Sequence, residues 1–340
     1  MAVKFGIGLF TGQIPPGSSR TFHEDYRDTL ELVALAEREG FDSAWVSEHH
    51  FSADGYLPSL LPMLAAFAAV TERIELGTGV TLAPFHDPIR IAEDFAVVDQ
   101  LSGGRTIAGF AIGWRDEEFR AFDIDTASRV GRTTELIDVL RLAWNENRFS
   151  YDGSYYSYDR VAVTPKPARV PPILVGGFSD PAVRRAGRIG DGYLSSRVPL
   201  ERLEEALEMA AQSRAEAGRE GEPIVGVLQN AYVADDPEAE WPAVREGIGH
   251  QLGTYAGWRN GTDVPGSDLQ VAPPPADKIR GSTAYGTADE VVDYLRPMVE
   301  ILNRYERAHL VVRLYYPGMT AARSARAVEL FAREVIPKLR

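Results

Sequence analysis

Residues 48–50 combine one carboxylate with two adjacent imidazoles, those of Glu48, His49 and His50. They follow the apolar run 43–47, which predicts a short buried strand with the acid and both histidines at its carboxyl end. In a parallel α/β barrel that end carries the catalytic groups. Imidazoles exchange protons near neutral pH, so the pattern favours proton transfer by His49 or His50. A histidine pair that only caps the next helix is the structural alternative.

A metal site is the other chemistry that these side chains suggest. Glu48, His49, His50 and His86 supply suitable ligand atoms. Adjacent histidines on an extended segment nevertheless point in opposite directions. The chain also has no His-x-His pair and no helical His-x-x-x-His. We therefore predict no metal.

Small residues at two further strand ends predict a place for a flat cofactor. Residues 77–80 and 111–114 leave the backbone accessible, and an aromatic ring at the second stretch could wall the ligand. The candidate cofactor-binding residues here are Thr78, Gly79, Val80, Ala111, Gly113 and Trp114. Close packing of barrel strands is the alternative explanation for either stretch.

A third strand end has the features of an anion site. Gly176 and Gly177 precede Phe178 and Ser179, and Pro181 stands where a helix would begin. Glycines allow close approach of the backbone, and the free amides of a helix N-terminus attract phosphate. Late loops of parallel barrels commonly bind phosphate groups. A tight turn with an ordinary helix cap would give the same pattern.

The elements that must position these residues alternate along the chain. Eight strand-like runs are separated by helical segments, which requires a parallel sheet, and eight such units predict a single (β/α)8 TIM barrel over residues 1–340. A doubly wound sheet is disfavoured because no Gly-x-Gly-x-x-Gly joins the first strand to its helix. The predicted strands are 4–10, 43–47, 73–83, 105–112, 171–177, 192–196, 224–233 and 309–315.

Two insertions account for much of the length beyond a minimal barrel. Residues 149–163 alternate aromatic and polar side chains around Asp152-Gly153, which predicts a hairpin. Residues 253–285 are rich in Gly and Pro and show no persistent periodicity, so we expect a mobile lid. Side chains in this segment that could cover a bound ligand are Tyr255, Trp258, Arg259, Lys278 and Arg280. An idle surface loop is the alternative.

Composition narrows the class of protein. The 340 residues carry a formal net charge of −13, which opposes binding to nucleic acid or anionic membranes. The chain has no cysteine, so disulfides and thiolate chemistry are excluded. The amino terminus lacks a signal-peptide pattern, and the most apolar run, 57–70, is too short to span a bilayer. We expect a cytoplasmic protein.

With these residues assembled, the chain resembles the bacterial luciferase family of flavin-dependent monooxygenases over nearly its whole length. The order and spacing of several short motifs carry the resemblance. They are Glu39-Gly40-Phe41-Asp42, Glu48-His49-His50-Phe51, Asp99-Gln100-Leu101-Ser102-x-Gly104-Arg105, Phe119-Arg120-x-Phe122, Pro165-Lys166, Pro171-Pro172 and Gly286-Thr287 with Glu290.

The resemblance implies a (β/α)8 barrel that binds reduced FMN or, in some branches, a deazaflavin coenzyme. His49 matches the family's catalytic histidine and His50 its neighbour beside the flavin. The Gly79–Val80 bond matches a cis peptide under the flavin ring, and Ala111 stands where luciferases often have cysteine. Glu118 falls on an acid near the isoalloxazine. Residues 176–181 cover the phosphate loop, where Gly177, Ser179 and Arg197 would hold the phosphate without the polar pair of true luciferases.

The implied activity is that of a two-component monooxygenase, in which a separate reductase supplies reduced FMN and oxygen is the co-substrate for a small organic molecule. Hydride transfer with a deazaflavin coenzyme is one alternative, and a non-catalytic flavin-binding partner subunit is another. The helix over residues 59–71 is apolar on nearly every side. Together with the helix over 89–101 it predicts a homodimer contact, since a barrel helix normally buries one face.

Overall fold

The computed structural model describes residues 3–196, 198–260 and 273–340. Strands and helices alternate along the chain as predicted. The strands are β1 (Lys4–Phe10), β2 (Ser43–Val46), β3 (Glu75–Thr78), β4 (Thr81–Leu82), β5 (Thr106–Ala111), β6 (Phe149–Asp152), β7 (Ser157–Val161), β8 (Ile173–Gly177), β9 (Gly192–Ser196), β10 (Ile224–Val233), β11 (Ala284–Gly286) and β12 (Ala308–Arg313).

The helices cover the outside of this sheet or lie beyond its carboxyl ends. They are α1 (Phe22–Glu39), α2 (Leu60–Val70), α3 (Pro88–Ser102), α4 (Asp116–Ala121), α5 (Arg129–Asn145), α6 (Asp180–Ile189), α7 (Leu200–Glu216), α8 (Pro237–Asn260), α9 (Ala276–Gly281), α10 (Ala288–Leu302), α11 (Ala321–Leu330) and α12 (Ile336–Leu339). A π-helical turn, Phe331–Val335, joins the last two.

Eight parallel strands close into a barrel, which confirms the predicted fold class. Their order around the barrel is β1, β2, β3, β5, β8, β9, β10 and β12, and β12 pairs with β1 to complete the circle. β4 extends the β5 edge, and β11 pairs with β10. All eight carboxyl ends therefore meet at one mouth, as the placement of the candidate site requires.

The barrel interior is a small apolar cluster separate from the larger core between strands and helices. It is built from alternate residues of the strands, namely Trp45, Ile107, Leu174, Leu194, Ile224 and Val311. Strand glycines make room for the largest of these side chains. A Cβ atom at Gly77 would lie 2.3 Å from the Trp45 ring. The filled interior leaves the mouth as the place where a ligand can bind.

Helix boundaries follow their capping residues. Thr21 and Glu24 form the predicted capping box of α1, and Thr287 and Glu290 form that of α10. Gly40 ends α1 with φ of 95°, a left-handed conformation that glycine adopts without steric cost. Among the residues described, no helix has the length and apolar content needed to cross a bilayer.

Two predicted loop regions differ in the structure. Residues 253–260 belong to α8, and residues 273–285 include α9 and β11, so the predicted 253–285 lid is not one structureless loop. Gly253 and Gly257 made residues 253–260 look non-helical, yet both glycines are buried within α8. Elsewhere on this helix, a Cβ atom at Gly247 would lie 2.7 Å from Cβ of Tyr316. Residues 261–272 of the predicted lid lie outside the described part of the chain.

The remaining predicted elements differ in smaller ways. The predicted strand 73–83 divides into β3 and β4, separated by a cis peptide bond between Gly79 and Val80. The hairpin predicted at 149–163 is present, with β6 and β7 antiparallel. The helical region that follows β5 is divided into α4 and α5.

Candidate active site

The carboxyl end of β2 continues as extended chain through the histidine pair. The amide of Ser47 donates to the Phe10 carbonyl and the amide of His49 to the Leu57 carbonyl, each at 3.3 Å. Successive side chains of extended chain point to opposite sides. Glu48 and His50 therefore make one set of contacts and His49 makes another.

His49 is paired with Glu118, which α4 supplies after β5. The Nδ1 atom of His49 lies 2.9 Å from Oε1 of Glu118, and the backbone N–H of His50 donates to the same oxygen at 2.9 Å. Glu118 is fully buried, and its Oε2 atom has no hydrogen-bond partner in the described chain. An ionised carboxylate can only accept, so it assigns a proton to Nδ1 and leaves Nε2 of His49 to exchange one.

Arg115 holds the segment that carries Glu118 against the histidines. Its guanidinium donates to the His50 carbonyl and pairs with Glu117, and it lies 4.6 Å from the ring centroid of Trp258. Only 3% of Arg115 is exposed. The side chain thus fixes α4 relative to residues 48–51 and forms a cation–π contact with the cover of the site.

Glu48 is the centre of a second buried group of charges. His50 Nε2 lies 2.7 Å from its Oε1, His86 Nε2 lies 3.0 Å from the same atom, and the Leu82 amide donates to Oε2 at 3.1 Å. Burial would raise the pKa of Glu48, but His86 and His50 outweigh it and lower that pKa to about 2. The same carboxylate raises the pKa of His86 against the effect of burial. Glu48 therefore orients the His50 ring.

Aromatic rings enclose His49 on its other side. Its ring centroid is 4.5 Å from Trp258, 4.9 Å from Tyr56, 5.4 Å from Tyr255 and 6.3 Å from Trp114. Only 5% of His49 is exposed. This enclosure keeps bulk water away from the imidazole, which a water-sensitive reaction requires.

Helix α8 delivers two of these rings and is tied to the loop after β2. His250 Nε2 lies 2.8 Å from Oδ2 of Asp54, which also accepts from Gln13 at 2.7 Å. The hydroxyls of Tyr255 and Tyr56 are 3.1 Å apart. Burial acts to raise the pKa of Asp54, but its bonds to His250 and its neighbours lower it overall. α8 is thus fastened over the histidine by a buried, charged contact.

The predicted cofactor residues lie on successive strands around the mouth. Gly79 and Val80 follow β3, Ala111 ends β5, and Gly177 ends β8, which are the three strands that come after β2 in the order around the barrel. The cis bond between Gly79 and Val80 that the resemblance implies is present. Val80, Ala111 and Gly177 are half-buried and present their surface at the mouth.

Some of the predicted residues also have structural tasks. The Thr78 hydroxyl donates to the Gly109 carbonyl at 2.8 Å, so it joins two strands and only its backbone is left for a ligand. A Cβ atom at Gly113 would lie 3.2 Å from the Phe119 ring, and one at Gly176 would lie 3.0 Å from Val80. Close packing therefore accounts for glycine at positions 113 and 176 as well as the approach of a ligand would.

The predicted phosphate loop sits at the N-terminus of α6. Ser179 caps this helix without a side-chain hydrogen bond, which leaves its hydroxyl available, and Phe178 is exposed. Asp180 in the first turn is paired with Arg202 at 3.0 Å. Arg197, the cation predicted for this place, lies outside the described residues.

The residues present fit a flavin-type group at the mouth. Half-buried strand ends open at the same barrel mouth as His49, the buried Oε2 of Glu118 lacks a partner in the described chain, and the Ser179 hydroxyl, which makes no capping hydrogen bond, stands at the α6 N-terminus. His49 and Glu118 would lie beside the ring system, and Gly177 and Ser179 would hold the phosphate. Within the ranges described, no three His, Cys, Asp or Glu side chains are grouped to hold a metal ion.

A cavity of about 350 Å³ lies on the outer side of the Glu48 group, between α2 and α3. Its inner end is formed by Glu48 and His86, and its walls include Leu61, Ala65 and Val97. Val97 and Leu101 of α3 are exposed. This face coincides with the predicted dimer contact, which remains a prediction.

Several site residues were not found by sequence reasoning. Arg115, Tyr56, Asp54 and His250 contact the histidines or their cover through residues distant in the chain. Arg313, at the end of β12, was not found either. The signal that could have found α8 is the spacing of His250, Thr254 and Trp258, one helical turn apart. Of the expected covering residues, Tyr255 and Trp258 do contact His49, whereas Arg280 pairs with Glu238 and lies over Trp241.

Comparison with known proteins agrees with this geometry. A family model described as luciferase-like monooxygenase matches residues 3–304. The oxygenase component of a flavin-dependent trigonelline monooxygenase from Acinetobacter baylyi is 26% identical, covering 97% of this chain and 94% of that protein. An F420-dependent glucose-6-phosphate dehydrogenase from Nocardia farcinica is 29% identical, covering 92% and 94%.

A solved structure supports the same likeness. The crystal structure of a monooxygenase from Streptomyces bottropensis superposes with a TM-score of 0.82 at 26% identity, covering 99% of this chain and all of the other. The similar proteins thus include both flavin and F420 enzymes.

Proposed function

The chain belongs to the luciferase-like monooxygenase family, and from that premise we propose that it is the oxygenase component of a two-component flavin-dependent monooxygenase. Its relatives are named monooxygenases and F420-dependent dehydrogenases, so the chain is an oxidoreductase that uses a flavin-type cofactor. In our proposal the cofactor is reduced FMN from a separate reductase, and the substrates are oxygen and a small organic molecule.

The observation that carries the proposal is the enclosed pair of His49 and Glu118 at the barrel mouth. Reduced flavin, when bound, supplies the electrons that activate oxygen. The protein's own part is to hold a proton at His49 Nε2, with Glu118 orienting the ring. General acid–base catalysis of this kind contributes about 10²–10⁴-fold to a rate.

Exclusion of water is the second contribution of this chain. The rings of Trp258, Tyr255, Tyr56 and Trp114 enclose His49. An oxygenase needs this shelter because water competes with the organic substrate for reactive oxygen species. A hydride-transfer enzyme depends less on such protection, so the enclosure supports the monooxygenase over the dehydrogenase.

The external reductase is supported by one relative, whose name describes it as the oxygenase component of its system. The second candidate function is hydride transfer with the deazaflavin F420, which the Nocardia farcinica relative favours. Both functions use the same mouth and the same histidine, and they differ in the coenzyme and in the use of oxygen.

An anaerobic titration separates the two functions. Reduced FMN and reduced F420 are added in turn to the full-length protein, binding is followed by intrinsic fluorescence, and oxygen is then admitted. We expect FMN to bind and oxygen to be consumed only when reduced FMN is present. Tight binding of F420 with no binding of FMN would establish the hydride-transfer alternative. His49→Gln should leave FMN affinity within about threefold.

A further inference from the structure

Arg313 ends β12 and points into the barrel mouth. Four residues earlier, the ring of His309 lies 5.8 Å from Trp45 and 3.4 Å from the Ser43 hydroxyl. Val311 belongs to the interior cluster. Alternate residues of a strand share one face, so Arg313 follows them on the inner face, at the carboxyl end where ligands bind.

Within the part of the chain that the structure describes, the charge of Arg313 has no counterpart. The side chain is 4% exposed, and its Nη1 atom has no hydrogen-bond partner among the residues that the structure describes. The same ranges contain no ion pair that involves Arg313. Buried arginines are normally paired with acids, because an isolated charge loses its hydration. A buried guanidinium without an acidic partner at a barrel mouth is suited to bind a ligand that carries a negative charge.

Helix α8 covers the space between Arg313 and His49 with one face. Gly247 packs against Tyr316, which lies just beyond β12, and Trp258 packs against His49. Gln251 lies one turn after Gly247 and two turns before Trp258, so the three share a side of the helix. Gln251 Oε1 and Trp258 Nε1 are buried without a partner in the described chain. One hydrogen-bond acceptor and one donor are thus left without partners among the described residues under α8.

We propose that Arg313 binds a carboxylate of the substrate, so the substrate is a small organic acid whose apolar, ring-sized body lies under α8 toward His49. The inference rests on the proposed function and adds the chemical class of the substrate. The anion is not the phosphate of a cofactor held at the predicted phosphate loop. That loop follows β8, and two strands, β9 and β10, separate β8 from β12, which carries Arg313. A planar guanidinium binds a carboxylate through two parallel hydrogen bonds.

A second buried arginine provides a matched control. Arg185 is 7% exposed, and its Nε atom also lacks a partner in the described chain, but it lies on α6 outside the barrel mouth. Burial lowers the pKa of Arg185, as do its neighbours Arg188 and Arg129. A variant at Arg185 removes an equally buried charge without touching the space under α8.

The test is calorimetric binding of acetate, benzoate and cyclohexanecarboxylate to the full-length protein, with and without reduced FMN under anaerobic conditions. Benzamide serves as the uncharged analogue of benzoate. At least one ring-bearing acid should bind more tightly than acetate, and benzoate should bind at least tenfold more tightly than benzamide. Arg313→Gln should weaken this binding about 30-fold or more, the equivalent of 2 kcal/mol at 1.4 kcal/mol per tenfold.

The variants separate binding from folding. Arg313→Lys should retain part of the affinity, and Arg185→Gln should retain all of it. Without ligand, Arg313→Gln should melt at or above the wild-type temperature, since it removes an unpaired buried charge. A lower melting temperature, or unfolding of Arg313→Gln, would assign Arg313 to structure and overturn the proposal.

Further results of the binding experiment would overturn the carboxylate proposal or the proposed function separately. Equal affinity for benzoate and benzamide, no binding of any acid at millimolar concentration, or equal competition by inorganic phosphate would overturn the inference. If acids bind as expected but neither FMN nor F420 does, the proposed function fails and Arg313 remains a carboxylate site. If the coenzyme binds and the acids do not, only the substrate class is wrong.

Discussion

Glu118 joins His49 and the backbone of His50 through a single carboxylate oxygen, although 69 positions separate His49 from Glu118 in the chain. One oxygen at 2.9 Å from both nitrogens fixes the ring and the peptide that carries it. The acid therefore acts on the imidazole through geometry as well as charge, which makes Glu118 a positioning residue.

The first prediction concerns this pair. His49→Gln should lower turnover about 10²–10⁴-fold, the range of general acid–base catalysis, while FMN affinity is retained. Glu118→Gln should lower turnover less. The double variant should be no worse than His49→Gln, because Glu118 works through the histidine. Steady-state rates and anaerobic FMN titrations measure both quantities. Glu117→Gln, next to Glu118 but paired with Arg115, is the control. If the losses of turnover in the two single variants add up in the double variant, Glu118 does not act through His49.

The second prediction concerns the cover over His49. Trp258→Ala should increase the fraction of oxygen that leaves as hydrogen peroxide, because the alanine admits water to the imidazole. Trp258→Phe keeps a ring there and should stay close to wild-type coupling. Trp241→Ala, on the same helix but packed against Tyr285, is the control. The measurement is peroxide released per oxygen consumed. Unchanged coupling in Trp258→Ala would remove the water-excluding role.

The third prediction concerns association. The outer face of α2 and α3 carries small and apolar residues around a cavity of about 350 Å³. We expect a homodimer through this face, and Val97→Glu should convert it to a monomer because it buries a charge in the contact. Val130→Glu is the control, since Val130 is 42% exposed and Val97 is 46% exposed. Light scattering at micromolar concentration gives the mass. A wild-type monomer would contradict the prediction.

The fourth prediction concerns Asp25, which lies beside Tyr315, Arg20 and Asp28. Burial raises the pKa of Asp25 from 3.8 to about 6, against the lowering effect of Tyr315 and Arg20. The folded protein therefore holds the proton more tightly than the unfolded chain. The resulting stability is complete below pH 3.8 and is lost as the pH rises through about 6.

Asp25→Asn cannot ionise, so the wild type should lose about 2 kcal/mol of unfolding free energy relative to this variant between pH 4 and pH 7. Denaturant unfolding at several pH values gives the difference. Asp28→Asn, at a partly exposed acid paired with the same Arg20, is the control. A difference between Asp25→Asn and wild type that does not change with pH would refute the shift.

The barrel could be predicted from the sequence because its determinants are local. Strand and helix periodicities alternate eight times, and the capping boxes at Thr21 and Thr287 mark helix starts within one turn. The position of His49 at the mouth follows from strand order alone. The cis bond at Gly79 came from the resemblance and is present.

The partners of His49 could not be predicted in the same way. Glu118 was placed near the cofactor by resemblance, but its bond to His49 depends on how α4 docks beside β2. The part of α8 that carries Trp258 was missed because Gly253 and Gly257 lower helix propensity, a weak preference that tertiary packing overrides. Arg313 was hidden because a sequence does not reveal that a charge lacks a partner.

The origin of the cover has a consequence for how such enzymes diversify. β2 and α4 supply the His49–Glu118 pair, whereas α8, inserted between the seventh and eighth barrel strands, supplies the Trp258 and Tyr255 rings above it. In the proposed function, proton transfer and the cover over the substrate are therefore encoded in separate stretches of the chain. We expect substitutions on α8 that spare Trp258 to alter which substrates are accepted while the pair stays intact, so directed evolution of new substrate ranges is best focused on that helix.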